Sequence, residues 1–193
     1  MQTSKDIIDF LDHIKQSEGK MTYIYRYASP LGGITLSSDG SNITGLWFDG
    51  QKYFGDTIHG DCVERSLPVF EETKSWLDIY FSGKAPHHTP PIKIETTPFR
   101  RAVTEIMLTI PYGKTMTYGE IAHRLAKARG LEKMSAQAVG GAVGHNSISL
   151  IIPCHRVVGA NGSLTGYAGG TDKKLKLLTL ENADISSFFV PKD

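Results

Sequence analysis

The chain has 193 residues, with 21 Lys and Arg against 20 Asp and Glu for a formal net charge of +1, and two cysteines. That length fits one sizeable core or two small ones, and no apolar run nears the roughly 18 residues needed to span a bilayer, which excludes a helical membrane protein. The start Met1-Gln2-Thr3-Ser4-Lys5-Asp6 lacks the basic-then-apolar pattern of a secretory leader, so the expectation is a cytoplasmic protein whose Cys62 and Cys154 are free thiols.

Residues Ile7 to Ile14 read as a short amphipathic helix within an extension, residues 1–20, that receives no functional role. From Thr22 the period becomes two: Tyr23, Tyr25 and Tyr27 alternate with Ile24 and Arg26 up to a turn at Ser29–Gly33. Ile34–Ser37, a turn at Asp39-Gly40 and Ile43–Phe48 complete an antiparallel meander. Pro68–Phe81 then puts Val69, Phe70, Thr73, Trp76, Leu77, Tyr80 and Phe81 on one helical face, with Gly83 as the stop. Lys84–Pro91, rich in proline, reads as a linker dividing an α/β unit, residues 21–91, from a second unit, residues 92–193. Its His87-His88 pair is too isolated for a metal site, and no metal is expected.

In the second unit Thr97 caps a helix opened by Pro98, whose apolar stripe Val103, Ile106, Met107 and Ile110 runs until Pro111-Tyr112-Gly113. Thr117-Tyr118-Gly119-Glu120 is a capping-box pattern opening a second helix that ends by Gly130, and Ser135 can cap a third through Val143. Two short helices with a brief connection give a helix-turn-helix. Gly140 and Gly141 inside the third helix each cost about 1 kcal/mol relative to Ala. With Ala138 and Ala142 they keep one face slim, which suits close approach to a neighbouring helix or to nucleic acid.

The apolar run Ile148–Ile152 reads as a short buried strand leading into Pro153-Cys154-His155-Arg156-Val157. A thiol at such a strand end, beside an imidazole and a guanidinium that favour the thiolate, is a candidate nucleophile. Beyond it, Asn161-Gly162 between Arg156–Val158 and Leu164–Thr165 predicts a hairpin. Thr171-Asp172 then caps a last helix whose Leu175 and Leu178 face inward and whose Lys and Thr positions face water, with Glu181 after them. Charge is divided unevenly: residues 91–180 hold 12 Lys and Arg against 5 Asp and Glu, an excess of seven positive charges on the unit that carries Cys154. Such an excess suits a polyanionic partner.

In order and spacing, the Ala138–Val143 segment, Asn146, the Pro-Cys-His-Arg-Val segment and Thr165–Gly170 resemble the O6-alkylguanine-DNA alkyltransferases, in detail over residues 97–181 and more loosely over 21–91. The resemblance implies a two-domain α/β protein: a small RNase H-like N-terminal antiparallel sheet with a helix, then a C-terminal winged helix-turn-helix. It implies irreversible, one-time transfer of an alkyl group from O6-alkylguanine in double-stranded DNA, with O4-alkylthymine as a further candidate lesion, onto Cys154 of a monomer that needs no cofactor. It assigns His155 as the base, Glu181 as the acid that holds it, and Asn146 as the residue that fixes the turn by the thiol. It further implies a base pocket walled by Tyr118, Val157, Val158, Tyr167 and the backbone at Ala168, where some members have serine. Tyr118, Gln137, Ala138, Gly140, Gly141 and Arg156 are the expected DNA contacts. Gln137 departs from the arginine that many members place there to fill the gap left by an extruded base.

Two other readings compete. A lesion-sensing DNA-binding protein without chemistry would share the fold, but such relatives replace the nucleophile that this chain keeps at Cys154. A cysteine hydrolase using Cys154 and His155 conflicts with adjacent strand residues pointing to opposite faces.

Overall fold

A computed structural model of the chain describes residues 21–190; the helix expected at Ile7–Ile14 lies outside the described residues. Strands β1 (Thr22–Ser29), β2 (Gly32–Ser38) and β3 (Ile43–Phe48) form the expected meander. A fourth strand, β4 (Cys62–Glu64), pairs with β1 in parallel, giving the order β3-β2-β1-β4 and a mixed sheet rather than an antiparallel one. β4 is three exposed residues long, too short to show alternation, and Cys62 sits on it exposed.

Helix α1 (Pro68–Phe81) starts at a proline, which needs no N–H partner in the first turn, and buries Phe70, Leu77 and Tyr80 completely. Each such side chain contributes roughly 2 kcal/mol through apolar surface removed from water. Helix α2 (Pro98–Met107) has the predicted Thr97 cap, its Oγ1 accepting from the Arg100 N–H, but ends three residues before the apolar stripe does, in a turn that carries Ile110 into the core. A two-residue strand, β5 (Met116–Thr117), leads into α3 (Tyr118–Ala128), where both halves of the capping box form between Thr117 and Glu120. Helix α4 (Ala136–Gly144) is capped by Ser135, whose hydroxyl accepts from the Ala138 N–H, and packs on α2 and α3.

Further expectations need correction. Ile148–Ile152 is a compact turn, not a strand: the Ile152 N–H returns to the Ile148 carbonyl at 3.1 Å and Leu150 takes φ +69°. Its apolar residues are buried because β3 receives the segment on its outer edge, where the Leu46 N–H donates to Ser147 O (2.8 Å) and the Ser149 N–H to Leu46 O (2.9 Å). The segment around Asn161-Gly162 does turn, with Gly159 N–H bonded to Ser163 O at 2.8 Å, but no regular hairpin follows. Instead β6 (Val157–Val158) pairs in parallel with β5, and Leu164 bonds to Phe189. Finally, helix α5 (Thr171–Leu180) is preceded by Gly170 with no side-chain cap from Thr171 or Asp172, and its Lys174 is completely buried rather than in water.

One continuous apolar core runs from Leu36 and Phe48 of the sheet through Val139 and Val143 of α4 to Leu177 of α5. The sheet edge and the helical unit thus grip the Cys154 turn from both sides. Among the described residues no helix is long and apolar enough to cross a membrane.

Candidate active site

Cys154 begins a single 3-10 turn, Cys154–Arg156, so it and His155 leave the backbone from a tight bend rather than from opposite faces of a strand. The turn is set by Asn146. Its amide Nδ2 donates to Ile148 O (3.3 Å), Ile152 O (2.9 Å) and Cys154 Sγ (3.0 Å), while its Oδ1 accepts from the Ile148 N–H at 3.1 Å. One buried side chain therefore closes the loop and touches the sulfur.

His155 is fully buried, and its Nε2 lies 2.7 Å from Glu181 Oε1. Glu181 is buried too, and no longer the exposed helix-end carboxylate that its position would suggest. Its Oε1 also accepts from the Tyr80 hydroxyl (2.8 Å) and Arg156 Nη2 (3.0 Å); Oε2 accepts from Arg156 Nε (2.8 Å) and the Gly113 N–H (3.0 Å). Gly113 holds φ +70°, and a Cβ there would come within 2.7 Å of the Glu181 carbonyl oxygen, so only glycine fits. Burial pushes the Glu181 carboxyl up, but the His155 and Arg156 hydrogen bonds and charges overturn that and hold it at about 2, so it is an anion. An anion at Oε1 requires the proton on His155 Nε2, which leaves Nδ1 as the basic nitrogen. Nδ1 is buried with no hydrogen-bond partner among the described residues, so its lone pair is unspent.

Arg156, expected to touch DNA, is turned inward: besides Glu181 it donates from Nη1 to Ile110 O at 2.7 Å and lies over the Tyr112 ring. Its cation serves the carboxylate. The thiolate consequently lacks the adjacent charges that the sequence suggested. Burial pushes the Cys154 thiol up against the opposing pull of Asn146 and Lys174, and burial likewise holds His155 below its ordinary value despite Glu181. At rest burial thus favours the uncharged form of the thiol and opposes charge on the imidazole that Glu181 orients. Sequence reasoning missed Tyr80, read only as a core residue of α1, and Lys174, read as solvated. Lys174 Nζ donates to Thr165 O (2.9 Å) and lies within electrostatic reach of Cys154, and its burial lowers it to about 8. A signal existed for Tyr80, because a phenol on the buried face of a helix needs a polar partner.

The expected pocket residues are brought together only in part: Tyr167 and Ala168 share one concavity, and Tyr118, Val157 and Val158 do not line it. The Tyr118 hydroxyl donates to Thr165 O (3.1 Å), and Gly166, at φ +80°, has no room for a Cβ against that oxygen. Burial, with Cys154 adding to it, pushes Tyr118 up to about 12 and Tyr167 well above its ordinary value, so both remain O–H donors. The Tyr167 hydroxyl is buried without a hydrogen-bond partner among the described residues. Tyr167, Ala168, Gly140 and Gly141 line a concavity of about 410 Å³ beside α4. Val157 and Val158 are buried in β6, Val157 in the main core and Val158 in a small separate cluster with Leu164, Leu178 and Ala183. On α4, Gln137, Ala138 and Gly141 are exposed, and a Cβ on Gly141 would meet nothing within 4 Å, so no neighbouring helix among the described residues explains that glycine. Gly140 has only the Tyr118 ring near it, at 3.9 Å.

Comparisons with known proteins place the chain in one family. Residues 98–183 match the family profile of the 6-O-methylguanine DNA methyltransferase DNA binding domain, and residues 21–94 that of the ribonuclease-like domain of the same proteins. The methylated-DNA--protein-cysteine methyltransferase of Mycobacterium tuberculosis (strain H37Rv) is 40% identical over 164 residues, covering 83% of this chain and 94% of that protein. The Haemophilus influenzae protein of the same name is 38% identical, covering 83% and 88%. Among solved structures, the M. tuberculosis O6-methylguanine methyltransferase superposes with a TM-score of 0.71 at 38% identity over 90% of this chain and 97% of that one. The M. tuberculosis OGT in complex with DNA gives 0.71 at 35% identity over 86% and 98%. With both domains matched and the cysteine turn assembled as described, this chain belongs to the O6-methylguanine DNA methyltransferase family.

Proposed function

We propose that this protein repairs DNA by moving an alkyl group from O6-alkylguanine in a duplex onto Cys154, once per molecule. The observation that carries the reading is the Asn146–Cys154–His155–Glu181 arrangement, in which an anionic, fivefold hydrogen-bonded carboxylate leaves the free lone pair of His155 Nδ1 next in sequence to a buried thiol. Residues 92–193 bind the DNA and carry the chemistry, and residues 21–91 support the cysteine turn. The protein acts as a monomer.

A base inside a duplex is out of reach of a buried sulfur, so the nucleotide is extruded into the concavity by α4 at a cost of a few kcal/mol. There Tyr118, Tyr167 and the Ala168 N–H supply hydrogen bonds to the purine. The Cys154 proton passes through a water to His155 Nδ1, with Glu181 stabilising the imidazolium. The thiolate, held by Asn146 and the Lys174 ammonium, attacks the alkyl carbon in line. The S–C bond forms as the C–O6 bond breaks, its electron pair moves onto O6 and into the ring, and guanine takes up the proton that His155 returns. The products are guanine and an S-alkyl cysteine. Every participant is a group of the protein, a water or the substrate, so the step needs no cofactor. A thioether does not hydrolyse at a useful rate, and no group is placed to release it.

Incubation with a duplex containing O6-methylguanine should raise the intact protein mass by one CH2 and plateau at about one repaired lesion per protein. Linear turnover, or methylation of Cys154→Ala, would refute it. The lesion-sensing alternative predicts binding with no mass change.

A further inference from the structure

The concavity beside α4 has a wall that comes from the other domain. After β3 the chain loops through residues 49–57, and Lys52 and Tyr53 line the concavity opposite Gly140, Gly141 and Ala168. This loop is fixed to the cysteine-bearing unit at several points. The Lys52 N–H donates to Ala168 O at 3.1 Å. The Tyr53 ring stacks on His145 with centroids 4.0 Å apart, and His145 Nδ1 lies 2.7 Å from Gly141 O at the end of α4. Buried Gln51 accepts from the Phe48 N–H (2.9 Å) and the Ser149 hydroxyl (3.3 Å), and Asp56 accepts from the Ser147 hydroxyl at 3.0 Å.

Tyr53 also holds φ +61°, a backbone conformation disfavoured for any residue with a Cβ, and such a conformation persists only where its surroundings enforce it. What is enforced is the presentation of two exposed groups. The Lys52 ammonium stands 4.9 Å from the Tyr53 ring centroid and has no ion pair among the described residues, and Tyr53 as a residue is 37% exposed. An exposed cation without an ion pair among the described residues and a partly exposed aromatic ring are thus held at the mouth of a concavity whose other side is the Gly- and Ala-surfaced helix. A nucleic-acid strand offers a phosphate to the first and a sugar or base face to the second.

We propose that the loop at residues 49–57 is a nucleic-acid contact made by the N-terminal domain, in which Lys52 neutralises one phosphate of the strand carrying the extruded nucleotide and the Tyr53–His145 stack forms the outer wall of the base site. This rests on the reading that α4 and the concavity face DNA. It gives the sheet domain a part in binding besides its support of the cysteine turn.

The test is anisotropy titration of an unmodified duplex with the full-length protein from 50 to 200 mM salt. One phosphate contact changes the log-log slope by about 0.9, so loss of one contact should narrow the affinity gap between wild type and variant about 3.5-fold across that range. Lys52→Gln should bind more weakly at 50 mM and show that shallower slope, and Lys52→Arg should keep the wild-type slope. Lys74→Gln, the same charge change on α1, should leave it unaltered. A wild-type slope in Lys52→Gln, or an equal change in Lys74→Gln, overturns the proposal. Mass analysis after exposure to an O6-methylguanine duplex keeps this separate from the proposed activity. If wild type methylates while Lys52→Gln binds with an unchanged slope, only the loop contact falls. If wild type never methylates, the activity falls, and the slopes still decide the contact.

Discussion

Replacing Glu181 by Gln removes one negative charge and keeps the shape of the side chain. The carboxylate accepts five hydrogen bonds, from His155, Tyr80, Gly113 and two from Arg156. A glutamine amide must point its NH2 at one set of these donors. Directed toward the Oε2 side it faces the Gly113 N–H and Arg156 Nε, so at least two bonds become donor against donor and Arg156 keeps an unpaired buried charge. The charge term follows from linkage: the Glu181 carboxyl falls from 4.5 to about 2 on folding, which is worth roughly 3 kcal/mol at neutral pH. Because the folded value is the lower one, that stabilisation is complete above about 4.5 and is lost as pH falls toward 2. Urea unfolding should therefore show wild type ahead of Glu181→Gln by roughly 3 kcal/mol at pH 7, with the gap closing between about pH 4.5 and 2. In single-turnover assays methyl transfer should slow by roughly 10²-fold, the lower range for a displaced general base, while affinity for duplex DNA is unchanged. Parallel stability profiles for the two proteins across this pH range would refute the anionic cage, and affinity falling as far as rate would refute the assignment of Glu181 to His155.

Lys174→Met should leave stability at pH 7 equal or higher, since the folded protein bears the cost of a buried ammonium below about 8 and sheds it as pH rises toward the unfolded value, yet transfer should slow about tenfold through the lost support of the thiolate; a wild-type rate in this variant would show that the charge plays no part. Gly141→Leu should fold normally, because its Cβ meets open space, and should weaken binding to all duplex sequences alike; a lowered Tm with normal binding would reverse that assignment. Gln137→Arg should raise the transfer rate on matched duplex and change it little on single strands, because arginine adds a cation and a stacking plane where the base has left; an equal gain on both substrates would mean general electrostatic attraction only.

Features set by neighbours in sequence were legible in it. The Thr117–Glu120 box, the Thr97–Pro98 start and the period-two tyrosines of β1 each depend on contacts within a few residues, and each appears where the pattern put it. The run Ile148–Ile152 is ambiguous by itself, because an apolar pentapeptide describes a buried turn as well as a buried strand. The choice was made by the Asn146 amide, which binds two carbonyls of the run and the sulfur beyond it. Likewise β4 exists only because β1 has an open edge, and Lys174 is buried only because Thr165 O receives its ammonium.

The same distinction explains the one chemical expectation that changed. Sequence adjacency put His155 and Arg156 beside Cys154 and suggested a thiolate stabilised directly by their positive charge. In three dimensions both are drawn to Glu181, 26 and 25 residues away, and Tyr80 reaches the same carboxylate from the other domain. The cation therefore acts on the anion that orients the base, not on the nucleophile, and burial keeps the thiol protonated. A protonated thiol is a poor nucleophile toward stray electrophiles. For a cysteine that can react only once, a sulfur activated through His155 when the substrate fills the pocket is protected in a way that a standing thiolate would not be.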